Sequence, residues 1–254
     1  MAVRRQGKVE YSQYHRPMRY GVLLLTLLLC FLSGCGLLPA QTTNKRDATP
    51  QTRHQLTYVA IGASDTFGFG SSDPYNQNWA TDLAGKLGPR YHLINLGIPS
   101  MHLHDALTSE LPVALDAHPD LVTIWLAVND LADNVPVQSY ARDLDMLLQR
   151  LQANNPQVHI AIANVPDLTL LPHFAKQAAA DPQALQQSIL AYNTVIAAAA
   201  RQHHTILIDL SQERYDLQHH PEYISDDGLH PTRLGYEQLA LIFYEALQTA
   251  KYIN

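Results

Sequence analysis

Four short stretches of the chain carry side chains that could do chemistry together. Ser64 stands two residues after Gly62, where the apolar run Leu56-Thr57-Tyr58-Val59-Ala60-Ile61 ends. Serine is a weak nucleophile at neutral pH and needs an adjacent base, normally histidine. His230 can be that base if Asp227, three residues earlier, fixes its tautomer and stabilises the imidazolium as it forms. Asp226 is an alternative partner for the same ring. A tetrahedral intermediate also needs N–H donors aimed at its oxyanion. The backbone N–H groups of Ser64 and Gly97 and the side-chain amide of Asn129 would be three. Each stretch taken alone is an ordinary turn, because Gly, Ser, Asn and Asp are common turn residues.

What joins them is the order of the elements. Five runs rich in β-branched and apolar residues read as strands, over 56–61, 91–96, 121–126, 158–163 and 205–210. Helical spacing falls between them. Trp79, Leu83 and Leu87 share one helix face, and Leu144, Leu147, Leu148 and Leu151 mark another over 139–153. A helix over 101–117 is expected to break at Pro112. Asp181 reads as an N-cap with Pro182 in the first turn of a helix reaching about Gln202, and a last helix runs from about Arg233 to Lys251. Strands alternating with helices predict an α/β fold, a parallel sheet of about five strands covered on both faces. In such a sheet every carboxyl end points to one edge, where open α/β sheets bind ligands. Ser64, Gly97 and Asn129 follow strands one, two and three, and Asp227 and His230 follow strand five. All five groups therefore converge on one rim.

The amino-terminal region reads differently. Val22 to Leu32 is an apolar run of eleven residues, short of the roughly 20 that span a bilayer, with Arg16 and Arg19 before it. Leu32-Ser33-Gly34-Cys35 follows and resembles the lipobox of bacterial lipoproteins, in which the cysteine is lipidated and becomes the first mature residue. Residues 1–34 are thus expected to be a lipoprotein signal peptide, with Met1 or Met18 as the start. Residues 35–55 are polar and aperiodic and read as a flexible tether, and 56–254 as the folded domain that carries the four stretches. The expected location is the extracytoplasmic side of a bacterial membrane. Cys30 and Cys35 are the only cysteines, which leaves no disulfide in a mature chain. Net charge is −6 and the positive charge is concentrated before Cys35, which argues against nucleic acid as a partner. No cysteine cluster or Glu-x-x-His pattern supports a metal, and no phosphate-binding loop or other cofactor motif is present.

Gly62-Ala63-Ser64, Gly97 in Asn95-Leu96-Gly97, Asn129 in Val128-Asn129-Asp130, and Asp227-Gly228-Leu229-His230-Pro231 together resemble the four blocks of the SGNH (GDSL-like) hydrolases. The resemblance implies a three-layer α/β/α, flavodoxin-like fold. It also implies Ser64 as nucleophile, His230 as base with Asp227 as its partner, and Gly97 and Asn129 as oxyanion donors. Two departures stand out. Ala63 occupies the middle of the usual Gly-Asp-Ser, with Asp65 after the serine, and Ala127 replaces the glycine of Gly-x-Asn-Asp. The implied activity is that of a lipid-anchored serine esterase, lipase- or lysophospholipase-like, acting on a small-molecule, lipid or glycan ester. The alternatives are a carbohydrate O-acetylesterase of the same fold and a non-catalytic surface module that binds glycans or lipids. Apolar residues near the rim, Phe67, Phe69, Leu170, Leu171, Pro172 and Phe174, could wall a cleft or cover the sheet edge.

Overall fold

The computed structural model describes residues 55–211 and 215–253. The signal-peptide and lipobox readings, including Cys35, and all of the tether before Gln55 lie outside the described residues. Five strands form in chain order: β1 (Leu56–Gly62), β2 (Tyr91–Asn95), β3 (Leu121–Trp125), β4 (His159–Ala163) and β5 (Ile206–Ile208). All pair in parallel in the order β2-β1-β3-β4-β5. β1 and β3 read as near-continuous apolar runs because both of their faces are buried. β5 is shorter than its sequence suggests, ending at Ile208 before Asp209 and Leu210.

The helices follow from the same order. They are α1 (Ser64–Phe67), α2 (Trp79–Leu87), α3 (Leu103–Ala106), α4 (Glu110–Asp116), α5 (Val128–Ala132), α6 (Val137–Asn154), α7 (Ala175–Ala180), α8 (Pro182–Gln202) and α9 (Arg233–Thr249). The chain steps one way from β1 to β2 and then back across the sheet to β3, β4 and β5. Right-handed crossovers in opposite directions put their helices on opposite faces. Accordingly α2 packs with α9, while α6 packs with α3, α4 and α8. Trp79 of α2 stacks on Phe243 of α9 at 4.3 Å between ring centres, and Trp125 meets Trp79 edge-on. Tyr58, Trp79 and Trp125 are all core residues.

Local signals set several boundaries. Asn78 Oδ1 accepts the Thr81 N–H at 2.8 Å and starts α2, and Asp181 Oδ1 accepts that of Ala184 at 3.0 Å and starts α8. Pro112 does not break its helix. The interruption falls at residues 107–109, and Pro112 sits in the first turn of α4, where a missing N–H leaves no hydrogen bond unmade.

Candidate active site

The strand order reverses between β1 and β3, which opens a crevice at their carboxyl ends. Ser64 begins α1 there, two residues beyond the end of β1. Its Oγ lies 2.9 Å from His230 Nε2, across 166 residues of sequence. The other ring nitrogen of His230, Nδ1, lies 2.6 Å from Asp227 Oδ2. Asp226 is exposed, and the ring pairs with Asp227 instead.

The loop carrying His230 is held by the same carboxylate. Asp227 Oδ1 accepts the N–H of Leu229 at 2.8 Å, the N–H of His230 at 2.9 Å and the hydroxyl of Ser225 at 2.9 Å. One oxygen thus folds the loop while the other orients the imidazole. Gly228 lies at φ 75°, in the left-handed region, and donates its N–H to Ser225 O at 2.9 Å to close the turn. Burial works against ionising Asp227, but the ring of His230, these two N–H groups and the Ser225 hydroxyl outweigh it. They hold the carboxyl well below the usual carboxylate range. Phe69 covers the imidazole, with ring centres 4.7 Å apart.

The expected oxyanion donors are placed unequally. The N–H of Ser64 lies in the first turn of α1, where no intrahelical acceptor exists. Asn129 Nδ2 donates one hydrogen to Met101 O at 3.0 Å, which leaves the second for a ligand. The single N–H of Gly97 is already engaged, donating to Asn95 Oδ1 at 2.9 Å. Asn95 is itself fixed by donating to Thr66 O at 2.7 Å. Gly97 has a second reason to be glycine: a Cβ there would stand 2.4 Å from Phe67 N, against the backbone of α1.

Sequence reasoning missed the residue after Asn129. Asp130 is buried, and its carboxylate accepts the Leu103 N–H at 3.1 Å. The Asn129-Asp130 pair therefore clamps the segment after Gly97 from both sides, through Met101 and Leu103. Burial raises the Asp130 carboxyl to about 6 despite that hydrogen bond and the nearby His102. Glu110 was also missed. It is 1% exposed, and its Oε1 reaches the Gly62 N–H at 3.4 Å. An acidic residue directly before Leu111 on the buried side of α4 was the available signal. Both family departures fit the backbone. Ala127 has φ −176° and Ala63 φ −101°, which any residue adopts.

The apolar residues divide. Leu171 and Phe174 are core, while Phe69 and Leu170 are exposed at the rim. His219 and His220 pair with their neighbours Asp216 and Glu222, at 2.7 and 2.9 Å.

Comparison with known proteins gives the family. Residues 60–238, a span holding Ser64, Gly97, Asn129, Asp227 and His230, match the model of the GDSL-like Lipase/Acylhydrolase family. The chain belongs to this family. Among solved structures it resembles the lipase/acylhydrolase from Enterococcus faecalis, with TM-score 0.62 and 20% identity over 77% of this chain and 97% of that one. The Clostridium thermocellum family 3 carbohydrate esterase gives TM-score 0.60 and 21% identity over 77% and 96%. An acetyl xylan esterase, AlAXEase, gives 0.62 and 19% over 76% and 100%. At these identities the likeness is one of fold. No curated sequence matches the chain significantly.

Proposed function

We propose that this member of the family is a serine ester hydrolase that works through an acyl-Ser64 intermediate. The observation that carries the reading is the relay from Ser64 Oγ through both nitrogens of His230 to Asp227, at 2.9 and 2.6 Å. As Oγ attacks the ester carbonyl, its proton passes to Nε2, and Asp227 stabilises the imidazolium at Nδ1. His230 then returns the proton to the leaving alcohol. In the second half, water gives its proton to Nε2, attacks the acyl carbon and releases the acid. The oxyanion is met by the Ser64 N–H and the free hydrogen of Asn129 Nδ2. Gly97 joins them only when its N–H leaves Asn95 Oδ1.

Among substrates, carboxylic esters with apolar groups suit the site best. Phe69, Ile98 and Leu170 are exposed large apolar side chains on the segments that follow β1, β2 and β4 at the carboxyl edge of the sheet. The carbohydrate esterases among the structural neighbours motivate the second reading, an O-acetylesterase. The deciding experiment is turnover of p-nitrophenyl esters of rising chain length beside acetylated sugars. Wild type should hydrolyse at least one class and Ser64→Ala none. Equal turnover by both proteins overturns the hydrolase reading, and a preference for acetylated sugars overturns the lipase-like one.

The same proposal includes lipidation at Cys35 and anchoring on the extracytoplasmic side of a bacterial membrane. It rests on the apolar run, its basic flank and the Leu32-Ser33-Gly34-Cys35 spacing. Globomycin, which blocks lipoprotein signal cleavage, should make the precursor accumulate in a bacterial host. Unchanged processing refutes the anchor.

A further inference from the structure

Large apolar side chains stand exposed on the segments that surround the Ser64–His230 pair. After α1, Phe69 is 48% and Tyr75 77% exposed; Ile98, after β2, is 41% exposed and Leu170, after β4, 42%. Each segment is fixed to the site or to the strand that carries it. Phe69 lies against the His230 imidazole, and its carbonyl accepts the Tyr236 hydroxyl at 2.6 Å. The Tyr75 ring meets Phe67 of α1 edge-on, with centres 5.6 Å apart. Ile98 donates its N–H to Gly62 O at 3.0 Å, and His173, three residues past Leu170, donates to Gly228 O at 3.0 Å. The exposed faces of these side chains therefore surround the mouth of the crevice. Apolar surface gathered at one place on a protein marks a docking site.

Charge narrows what docks there. Segments 67–78, 97–102, 164–174 and 223–231 together hold Asp73, Asp167, Asp226 and Asp227 and no lysine or arginine. An anionic bilayer attracts basic residues and repels acidic ones, so this rim suits a lipid surface without net charge. Tyrosine fits such a surface as well, with an apolar ring for the lipid and a hydroxyl for the water above it.

We propose that the rim docks on a zwitterionic lipid surface and that the ester enters the crevice from that surface. The inference rests on the Ser64–His230 hydrolase reading and deepens it, since the substrate class becomes an ester of a lipid held in a bilayer or micelle. The anchor proposed at Cys35 is compatible with this orientation. Twenty residues separate Cys35 from Leu56, a reach of up to about 70 Å, against about 23 Å for the seven residues of β1. The carboxyl edge can thus face the membrane that holds the chain.

Hydrogen exchange of the full chain, read by mass spectrometry with and without phosphatidylcholine vesicles, tests the proposal. Vesicles should slow exchange in 67–78, 97–102 and 164–174 and leave the amino edge of the sheet, 86–91 and 157–159, unchanged. Phosphatidylglycerol vesicles should protect the same segments less. Tyr75→Ser alters a side chain that touches no reacting group. It should hydrolyse soluble p-nitrophenyl acetate at the wild-type rate and a long-chain ester carried in the vesicles about fivefold more slowly, the effect of withholding most of one large side chain from lipid. Unchanged exchange at the rim, stronger protection by phosphatidylglycerol, or an equal loss toward both esters overturns the proposal. Protection that grows with protein concentration and needs no vesicles also overturns it, because a second copy then covers the rim. A wild type that turns over soluble ester without rim protection fails this inference alone, whereas one that hydrolyses no ester at all fails the parent reading and this inference with it.

Discussion

Replacing Glu110 by glutamine should remove most of the loss of stability that the fold undergoes between pH 5 and 8.5. Glu110 opens α4 with 1% of its surface exposed, and its Oε2 is buried with no hydrogen-bond partner among the described residues. Burial raises this carboxyl from 4.5 to about 8, against a weak opposing contribution from the Gly62 N–H. A raised carboxyl means that the folded chain holds a proton which the unfolded chain releases earlier. Stability from this group is therefore greatest below pH 4.5 and declines as pH climbs toward 8. The slope is about 1.4 kcal/mol per pH unit, so the whole interval costs about 5 kcal/mol. For a domain of this size that is roughly 10–20 °C in melting temperature. Asp65 and Asp130, also raised, add losses of the same sign below about pH 6, and Asp227, lowered, acts oppositely in acid. Subtracting the variant's profile from that of wild type isolates Glu110. Glutamine keeps an oxygen for the Gly62 N–H and carries no charge, so Glu110→Gln should melt well above wild type at pH 8.5 and close to it at pH 5. Calorimetry across this range is the assay. Parallel profiles for the two proteins would refute the argument that Glu110 is buried as a neutral acid.

Two further substitutions probe the donors. Asn129→Ala should lower kcat by about 10²–10³, the cost of one oxyanion donor, and destabilise by only about 1 kcal/mol through the lost hydrogen bond to Met101 O; steady-state kinetics beside thermal melts separate the two effects. Gly97→Ala places a methyl 2.4 Å from Phe67 N, so it should destabilise by about 1–3 kcal/mol and displace α1 with Ser64, read as a lower melting temperature together with a lower kcat.

Much of this architecture is legible in the sequence, because it rests on periodicity and on topology. Trp79–Leu87 forms a helix over the bounds its spacing gives, and Asp181-Pro182 starts α8 as its cap chemistry requires. That Ser64 and Asn129 follow strands on one edge comes from the parallel sheet, since parallel strands all end on that edge, while His230 reaches Ser64 on the segment after β5. Pairings between distant side chains leave no such local mark. The capture of the Gly97 N–H by Asn95, the hold of Asp130 on Leu103 and the burial of Glu110 beneath Gly62 each depend on where two segments come to rest. Pro112 misled for a related reason: proline halts a helix or begins one according to a position that tertiary packing decides. The residues alone leave Asp226 and Asp227 open, and only the family resemblance favours Asp227; in the structure it is Asp227 that meets the ring, while Asp226 is exposed.

The most direct test of the central claim is the site of modification by a fluorophosphonate. Incubation with the reagent followed by peptide mass spectrometry should find one adduct per chain, on Ser64, and the adduct should be lost in His230→Ala while that variant remains folded. A protein that stays unmodified, or is modified elsewhere with Ser64 untouched, would contradict the claim that His230 makes this serine a nucleophile.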